Sequence, residues 1–229
     1  MPTNLHLFSN PGDRDIRYIV DASRAFLEDR DDPLVAYLPQ AKLSESWQAF
    51  TEKAFKGLAR VEAINTETMT LPEMESILRR AHVAYIPGGN TFLLAHRLHV
   101  SRLLPYLHKK AQAGLPLVAH SAGTILCGPN ILTSRDMNMV ETPQFSGLDL
   151  LPFNLHVHYE DDVYRDEWLA DYHIFQLNPV ILLADGAYLR VDNKKTSLVR
   201  GDAWILRKGQ EKEKLIPGQE VLLTSPGIG

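Results

Sequence analysis

A serine at the end of an apolar run is the residue of this chain best suited to nucleophilic chemistry. Residues 115–120 read Leu-Pro-Leu-Val-Ala-His, and Ser121 follows them before Ala122 and Gly123 open a helix-like stretch. A strand that turns sharply into a helix at a serine projects the hydroxyl from the strand end, where small neighbours avoid a clash. The amide of Ala122, at the helix start, would face a developing oxyanion. The segment favours covalent catalysis by Ser121, with an ordinary Ser-Ala-Gly turn as the alternative.

A second apolar run, Tyr-Ile-Pro, leads into the pair Gly88-Gly89. Glycines let the backbone come close to a ligand, so one of these two amides could be a second oxyanion donor. Asn90 or Thr91 would cap a helix that begins near Phe92. The segment lacks the Lys-Ser/Thr of a P-loop and the third glycine of the dinucleotide fingerprint, so a nucleotide site is disfavoured.

Ser121 needs a general base, and two histidines are the best candidates. His156 and His158 lie on the strand-like run 153–159, where alternation places both on one face. With the three acidic residues at 160–162 they could instead form a zinc site. A metal site would leave Ser121 and the paired glycines without a role, so we favour a base.

The orienting acid is expected at another strand end. The run Val-Ile-Leu-Leu-Ala at 180–184 is followed by Asp185 and Gly186, which an Asp-Gly turn would also explain. The resulting chain order of serine, histidine and acid differs from the α/β-hydrolase order of serine, acid and histidine. His120, on the strand face opposite Ser121, is expected to line a pocket or to pack.

The elements that must position these residues follow an α/β pattern. Predicted strands lie at residues 4–9, 34–39, 60–65, 82–87 and 116–121. Helical spacing of apolar residues fills the gaps, and Leu71–Arg80 starts with Thr70 and Glu73 in a capping box. Strands separated by helices predict a parallel sheet covered on both faces.

The last third of the chain has a different pattern. Short apolar runs at 180–184, 188–192, 196–199, 204–207 and 221–224 are separated by turn residues. Such close spacing predicts antiparallel hairpins added to the sheet. No linker-like run divides the chain, so we expect one domain over residues 1–229.

Composition limits the classes of protein. The chain has 229 residues, 24 Lys and Arg, and 28 Asp and Glu, for a formal charge of −4. Mild acidity disfavours nucleic acid and anionic membranes as partners. No apolar run approaches the ~18 residues that span a bilayer, and the first residues do not form a signal peptide. With Cys127 as the one cysteine, we expect a cytoplasmic globular protein without disulfides. The sequence does not decide whether the chain forms a homodimer.

Taken in order, the motifs resemble those of peptidase E, the aspartyl dipeptidase family of serine peptidases. They occupy residues 87–92, 119–123, 133–137, 147–152, 158–159 and 185–186. The resemblance implies a fold similar to class I glutamine amidotransferases, with a mostly parallel sheet, helices on both faces and added C-terminal antiparallel hairpins. It covers about residues 5–198.

The resemblance also implies roles for individual residues. Ser121 matches the nucleophile and His158 the general base, while Asp185 falls at the position of the orienting acid. Gly89 and Ala122 match the oxyanion donors.

Substrate binding is assigned to Arg165, Gly88 and Asn90. Arg165 matches an arginine implicated in recognising the substrate's aspartate carboxylate, a task that suits the forked guanidinium. The alternative is a helix-surface arginine paired with Asp161 or Asp162.

The implied activity is that of a serine exopeptidase acting on small peptides, above all on dipeptides with N-terminal aspartate (Asp-Xaa). It proceeds through a Ser-His-Asp triad and an acyl-enzyme, and requires no metal or organic cofactor. One alternative is a cyanophycinase-like hydrolase of β-Asp-Arg. Another is a non-catalytic, amidotransferase-like ligand-binding protein.

Three features depart from the family pattern. Asp185 stands where the bacterial enzymes carry glutamate, and Ala119-His120 stands where Gly-Trp is expected. The stretch from His158 to Arg165 is several residues shorter than in the enterobacterial type. This stretch would form a loop over the pocket, so the strictness of aspartyl specificity and the physiological peptide stay open.

Overall fold

Strands and helices alternate through the first half of the chain, as the sequence predicts. The computed structural model describes residues 3–10, 16–42, 44 and 46–223. The strands are β1 (Asn4–Phe8), β2 (Leu34–Tyr37), β3 (Arg60–Ala63), β4 (Val83–Ile86), β5 (Leu117–His120), β6 (Asn154–His156), β7 (Val180–Leu183), β8 (Tyr188–Asp192), β9 (Lys195–Arg200), β10 (Ala203–Leu206) and β11 (Glu213–Lys214). The helices are α1 (Arg17–Arg24), α2 (Ser46–Phe55), α3 (Leu71–Arg80), α4 (Thr91–Val100), α5 (Leu103–Gln112), α6 (Ala122–Leu126) and α7 (Val163–Phe175), and a 3-10 helix spans Pro39–Ala41.

The larger sheet has the strand order β3-β2-β4-β5-β1-β8-β9. Strands β3, β2, β4, β5 and β1 pair in parallel, whereas β8 and β9 are antiparallel additions next to β1. The predicted fold class, a mostly parallel sheet extended by C-terminal antiparallel strands, is confirmed. Because parallel neighbours share a direction, the carboxyl ends of β1, β4 and β5 lie together at one edge.

Buried side chains on both faces of this sheet hold the helices against it. In β4, Tyr85 packs with the aromatic group that includes Phe55, while Ile86 joins the larger aliphatic cluster on the other face. All four residues of β4 are buried, as a strand covered on both faces requires.

Helix starts follow the predicted capping chemistry. The amide of Thr70 donates to Oε2 of Glu73 at 2.7 Å, and both halves of the capping box are present at the start of α3. This bond to the charged form lowers the pKa of the Glu73 carboxyl. Asn90 caps α4 by accepting the Leu93 amide at 2.9 Å. One of the two caps considered for that helix is therefore confirmed.

The C-terminal strands are divided between two sheets, so only β8 and β9 extend the larger sheet as predicted. Strands β6, β7, β10 and β11 form a separate sheet in the order β11-β10-β7-β6, in which β6 and β7 are parallel. After β7, the chain turns through Asp185 and Gly186, whose φ is +84°. The amide of Gly186 donates to the carbonyl of Asn10 at 3.1 Å, so the turn carries the chain across to β8 beside β1.

The strand predicted at 221–224 does not form within the described residues. An isolated bridge pairs Ser197 with Glu220, and residues 221–223 follow it without strand pairing. Thr224 lies outside the described residues. The predicted strand at 153–159 is shorter than expected, since β6 ends at His156.

No helix in the described part of the chain combines the length and apolar character needed to cross a membrane. The expected single domain over residues 1–229 stays a prediction.

Candidate active site

Ser121 occupies the turn between β5 and α6, with φ 51° and ψ −117°. Its amide donates to the carbonyls of Phe8 and Ser9, each at 3.0 Å, which ties the turn to the end of β1. A Cβ on Gly123 would lie 2.2 Å from the carbonyl oxygen of Ile86, so this close approach of helix to strand requires glycine. The serine is thereby fixed at the carboxyl edge of the sheet, where open α/β sheets bind ligands.

His158 connects Ser121 to Asp185. Its Nε2 lies 2.9 Å from the Ser121 Oγ, and its Nδ1 lies 2.6 Å from Oδ1 of Asp185. These two hydrogen bonds require the tautomer in which Nδ1–H donates to the carboxylate and Nε2 accepts from the serine hydroxyl. An imidazole held in this way can take the hydroxyl proton while the carboxylate stabilises the resulting imidazolium. The structure thus brings the three predicted residues together.

Both predicted histidines line the same cavity, but they differ in surroundings. His156 is buried in β6, and its Nδ1 donates to the carbonyl of Thr133 at 2.9 Å. His158 lies two residues further on, with a φ of 54°, and 46% of its side chain is exposed. Among the described residues, no group of three His, Cys, Asp or Glu side chains has an arrangement that could hold a metal ion.

His120 positions the paired glycines. Its Nε2 accepts the Gly88 amide at 3.0 Å, and its Nδ1, which then carries the proton, lies 3.2 Å from the Tyr85 hydroxyl. Burial, followed by the nearby charges of Lys42 and His158, lowers the pKa of His120 to about 3. The ring is therefore neutral and accepts the Gly88 amide at physiological pH. The expectation that it lines a pocket or packs becomes more specific: the ring accepts a hydrogen bond from the backbone of the glycine pair.

The engagement of Gly88 leaves Gly89 as the free amide of the pair. Among the bonds of the described residues, neither Gly89 nor Ala122 donates its amide to a carbonyl or side chain. Gly89 has a φ of 143°, and a Cβ there would lie 2.2 Å from the carbonyl oxygen of Ala41. Only glycine fits this position, which keeps the Gly89 amide at the strand edge near Ser121.

Asp136 fixes the start of α4, a role that sequence reasoning missed. Its Oδ2 accepts from the Thr91 amide at 2.7 Å, the Thr91 hydroxyl at 2.6 Å and the Ser134 hydroxyl at 3.1 Å. Asn90 donates through Nδ2 to the carbonyl of Met137 at 2.9 Å. The motif at 133–137 therefore anchors the loop that carries Gly89. The sequence signal that could have pointed to Asp136 is that it is the acidic residue of the motif at 133–137, to which no role was assigned.

Sequence reasoning also missed Ser9 and Asn10, which contact Asp185. Asn10 donates through Nδ2 to Oδ2 of Asp185 at 3.3 Å, and Ser9 Oγ lies 3.5 Å from Oδ1. The one sequence signal was their position at the end of β1, which shares an edge with Ser121.

A cavity of about 670 Å³ opens beside the Ser121 hydroxyl. Its lining includes Gly89, Ser121, His158 and Asp185, and Arg135 is the one arginine or lysine among the described residues that line it. An adjoining cavity of about 560 Å³ shares Arg135 and extends to Trp168 on α7. The carboxylates of Asp136, Glu160 and Asp185 also line the first cavity, so Arg135 is the position there that could pair with an anionic group of a small substrate.

The side chain of Arg165 lies outside the described residues, although its backbone belongs to α7. Asp161, one of the partners considered for it, accepts from Lys212 at 2.5 Å. Substrate contacts by Arg165, Gly88 and Asn90 stay predictions.

Comparison with known proteins also indicates a peptidase. The sequence pattern of peptidase family S51 matches residues 6–199. The chain is 29% identical over 194 residues to peptidase E of Nostoc sp. strain PCC 7120, covering 80% of this chain and 79% of that protein. It is 31% identical over 185 residues to peptidase E of Shewanella denitrificans strain OS217, covering 77% and 79%. In fold it is similar to a peptidase from an acI-B1 actinobacterium, with a TM-score of 0.71, 18% identity, and coverage of 96% and 97%.

Proposed function

The chain belongs to peptidase family S51 and is a serine peptidase, and on this premise we propose that it hydrolyses dipeptides with N-terminal aspartate through Ser121, His158 and Asp185. The observation that carries the proposal is the continuous hydrogen-bond chain from the Ser121 hydroxyl through His158 to Asp185, at 2.9 and 2.6 Å. It opens directly into the cavity beside Ser121.

The reaction begins when Ser121 Oγ attacks the scissile carbonyl and His158 Nε2 takes the hydroxyl proton. Asp185 keeps the imidazole in the tautomer whose Nε2 carries no proton and can accept one. His158 then gives the proton to the leaving amine, and the C–N bond breaks to leave an acyl-enzyme on Ser121. Water, deprotonated by the same imidazole, hydrolyses the ester and restores the serine.

The amides of Gly89 and Ala122 are the proposed donors to the tetrahedral oxyanion. Support comes from their lack of other acceptors among the described residues and from their positions just beyond the carboxyl ends of β4 and β5. Fixed amides stabilise a developing charge strongly because they need no reorientation during the reaction.

Aspartyl preference is supported by charge. A substrate carboxylate leaving water for a partly enclosed cavity needs a paired cation. Arg135 lines the cavity, and the family resemblance adds Arg165, whose backbone belongs to α7. A guanidinium can form a two-point bond to a carboxylate.

A dipeptide panel tests the proposal. Wild-type protein is assayed with Asp-Leu, Asn-Leu, Ala-Leu and β-Asp-Arg, next to Ser121→Ala as the control for contaminating peptidases. We expect Asp-Leu to be the best substrate, and Ser121→Ala to lose activity by several orders of magnitude with unchanged fold.

Three results would contradict parts of this proposal. Faster cleavage of β-Asp-Arg would favour the cyanophycinase-like reaction. Failure of the wild type to cleave any dipeptide or to react with a fluorophosphonate probe would favour a non-catalytic binding protein. Retention of more than about a tenth of wild-type activity in Ser121→Ala, a loss below ~1.4 kcal/mol, would exclude Ser121 as nucleophile.

A further inference from the structure

The three residues of the hydrogen-bond chain come from two different sheets. Ser121 follows β5 of the seven-stranded sheet, whereas His158 and Asp185 follow β6 and β7 of the four-stranded sheet. No pairing between strands joins β5 to β6 or β7 in the described structure. The distance between nucleophile and base therefore depends on how the two sheets are fixed to each other.

Ser9 stands at this junction. It follows β1 in the larger sheet, and its side chain is fully buried. Its Oγ accepts the His158 amide at 2.8 Å and donates to the carbonyl of Leu183, at the end of β7, at 3.1 Å. Both partners belong to the smaller sheet or to the residues that leave it.

Ser9 also contacts Ser121 and Asp185. Its carbonyl accepts the Ser121 amide at 3.0 Å, and its Oγ lies 3.5 Å from Oδ1 of Asp185. One buried residue thus has polar contacts with Ser121, His158 and Asp185.

The backbone contacts of this region do not depend on the Ser9 hydroxyl. The Ser9 amide donates to the carbonyl of Ala187 at 3.1 Å, and the Tyr159 amide donates to the carbonyl of Leu183 at 3.0 Å. Both bonds survive removal of the hydroxyl. What is lost is the acceptor for the His158 amide, at a residue whose φ of 54° already departs from the regular strand.

We propose that Ser9 is a positioning residue that aligns His158 with Ser121 across the junction of the two sheets. The inference rests on the proposed function of these residues. Ser9 touches no reacting atom, so it acts through the placement of the imidazole. A misplacement of about 1 Å is enough to lower a rate by about 100-fold.

The test compares Ser9→Ala with Ser9→Thr and with Ser23→Ala. Ser23 is the matched control, because its buried hydroxyl donates to the carbonyl of Ile19 at 2.7 Å within α1, away from the cavity. For each protein, kcat and KM are measured with the best dipeptide of the panel, the rate of fluorophosphonate labelling is measured, and the midpoint of thermal unfolding is recorded.

We expect Ser9→Ala to lower kcat and the labelling rate together by about 10- to 100-fold, with KM within threefold of wild type. Its thermal midpoint should stay within about 4 °C of that of Ser23→Ala, which keeps full activity. Ser9→Thr, which retains a hydroxyl, should recover a large part of the lost kcat.

The inference is overturned if Ser9→Ala keeps kcat within threefold of wild type. It is also overturned if Ser9→Ala and Ser9→Thr lose activity equally and only in proportion to a loss of folded protein. A wild type that neither cleaves dipeptides nor reacts with the probe contradicts the proposed function instead, so the two failures are distinguishable.

Discussion

Asp185 reaches His158 although it is one methylene shorter than the glutamate expected at this position from the family resemblance. Its Oδ1 lies 2.6 Å from Nδ1 of the imidazole. The approach is possible because β6 and β7 are adjacent parallel strands, with Leu155 opposite Ile181. Their carboxyl ends therefore deliver the base and the acid to the same point.

Replacement of this carboxylate tests the contact. Asp185→Asn keeps the size of the side chain but removes the charge that fixes the tautomer and stabilises the imidazolium. We expect kcat to fall by about 10³- to 10⁴-fold, with KM changed little. Steady-state kinetics with Asp-Leu measure the effect. A loss below tenfold would show that Asn10 or water can orient the imidazole without Asp185.

The two histidines of the cavity should respond differently to substitution. We expect His158→Ala to be inactive and His156→Ala to be weakened, because the His156 ring is bonded to the Thr133 carbonyl rather than to Ser121. EDTA should leave wild-type activity unchanged. Loss of activity on chelation, restored by zinc, would instead assign the histidine pair to a metal site.

Two arginines compete for recognition of the substrate carboxylate. We expect Arg165→Ala to lower kcat/KM for Asp-Leu by at least ~100-fold, or ~2.7 kcal/mol, with Asn-Leu cleaved poorly and equally by variant and wild type. Arg135→Ala is the matched comparison, because Arg135 lines the cavity. If Arg165→Ala still prefers Asp-Leu while Arg135→Ala does not, Arg135 is the specificity residue.

The lowered pKa of His120 implies that the free energy of unfolding depends on pH. Burial lowers its pKa from 6.5 to about 3 in the folded protein. Below pH 6.5 the unfolded chain therefore binds a proton that the folded protein does not, so the free energy of unfolding falls as the pH decreases towards 3. His120→Gln removes this difference, and the wild-type slope should be steeper by up to ~1.4 kcal/mol per pH unit.

Urea unfolding at several pH values between 7 and 4 measures both slopes. His6, whose pKa burial lowers to about 4, contributes to both proteins and cancels in the comparison. Parallel curves for wild type and His120→Gln would contradict the prediction.

The sequence indicated the elements and the three residues of the hydrogen-bond chain because each has a local signal. Strand runs that end in Ser121 or Asp185 can be recognised without knowing what they contact. The separation into two sheets could not be predicted, since the residues of β7 and β8 do not show which strand each will pair with. The Ser9 contacts join residues 149 positions apart, and no local pattern encodes such a pairing.

Ser121 and His158 both hold positive φ angles, 51° and 54°, that residues with a Cβ rarely adopt. Each such conformation costs of the order of 1–3 kcal/mol. Glycine at either position would relieve that strain and remove a reacting group in the same substitution. Selection for a more stable chain and selection for turnover thus act in opposite directions at these two residues. A relative that has gained stability and lost activity should therefore have substitutions at the positions of Ser121 and His158.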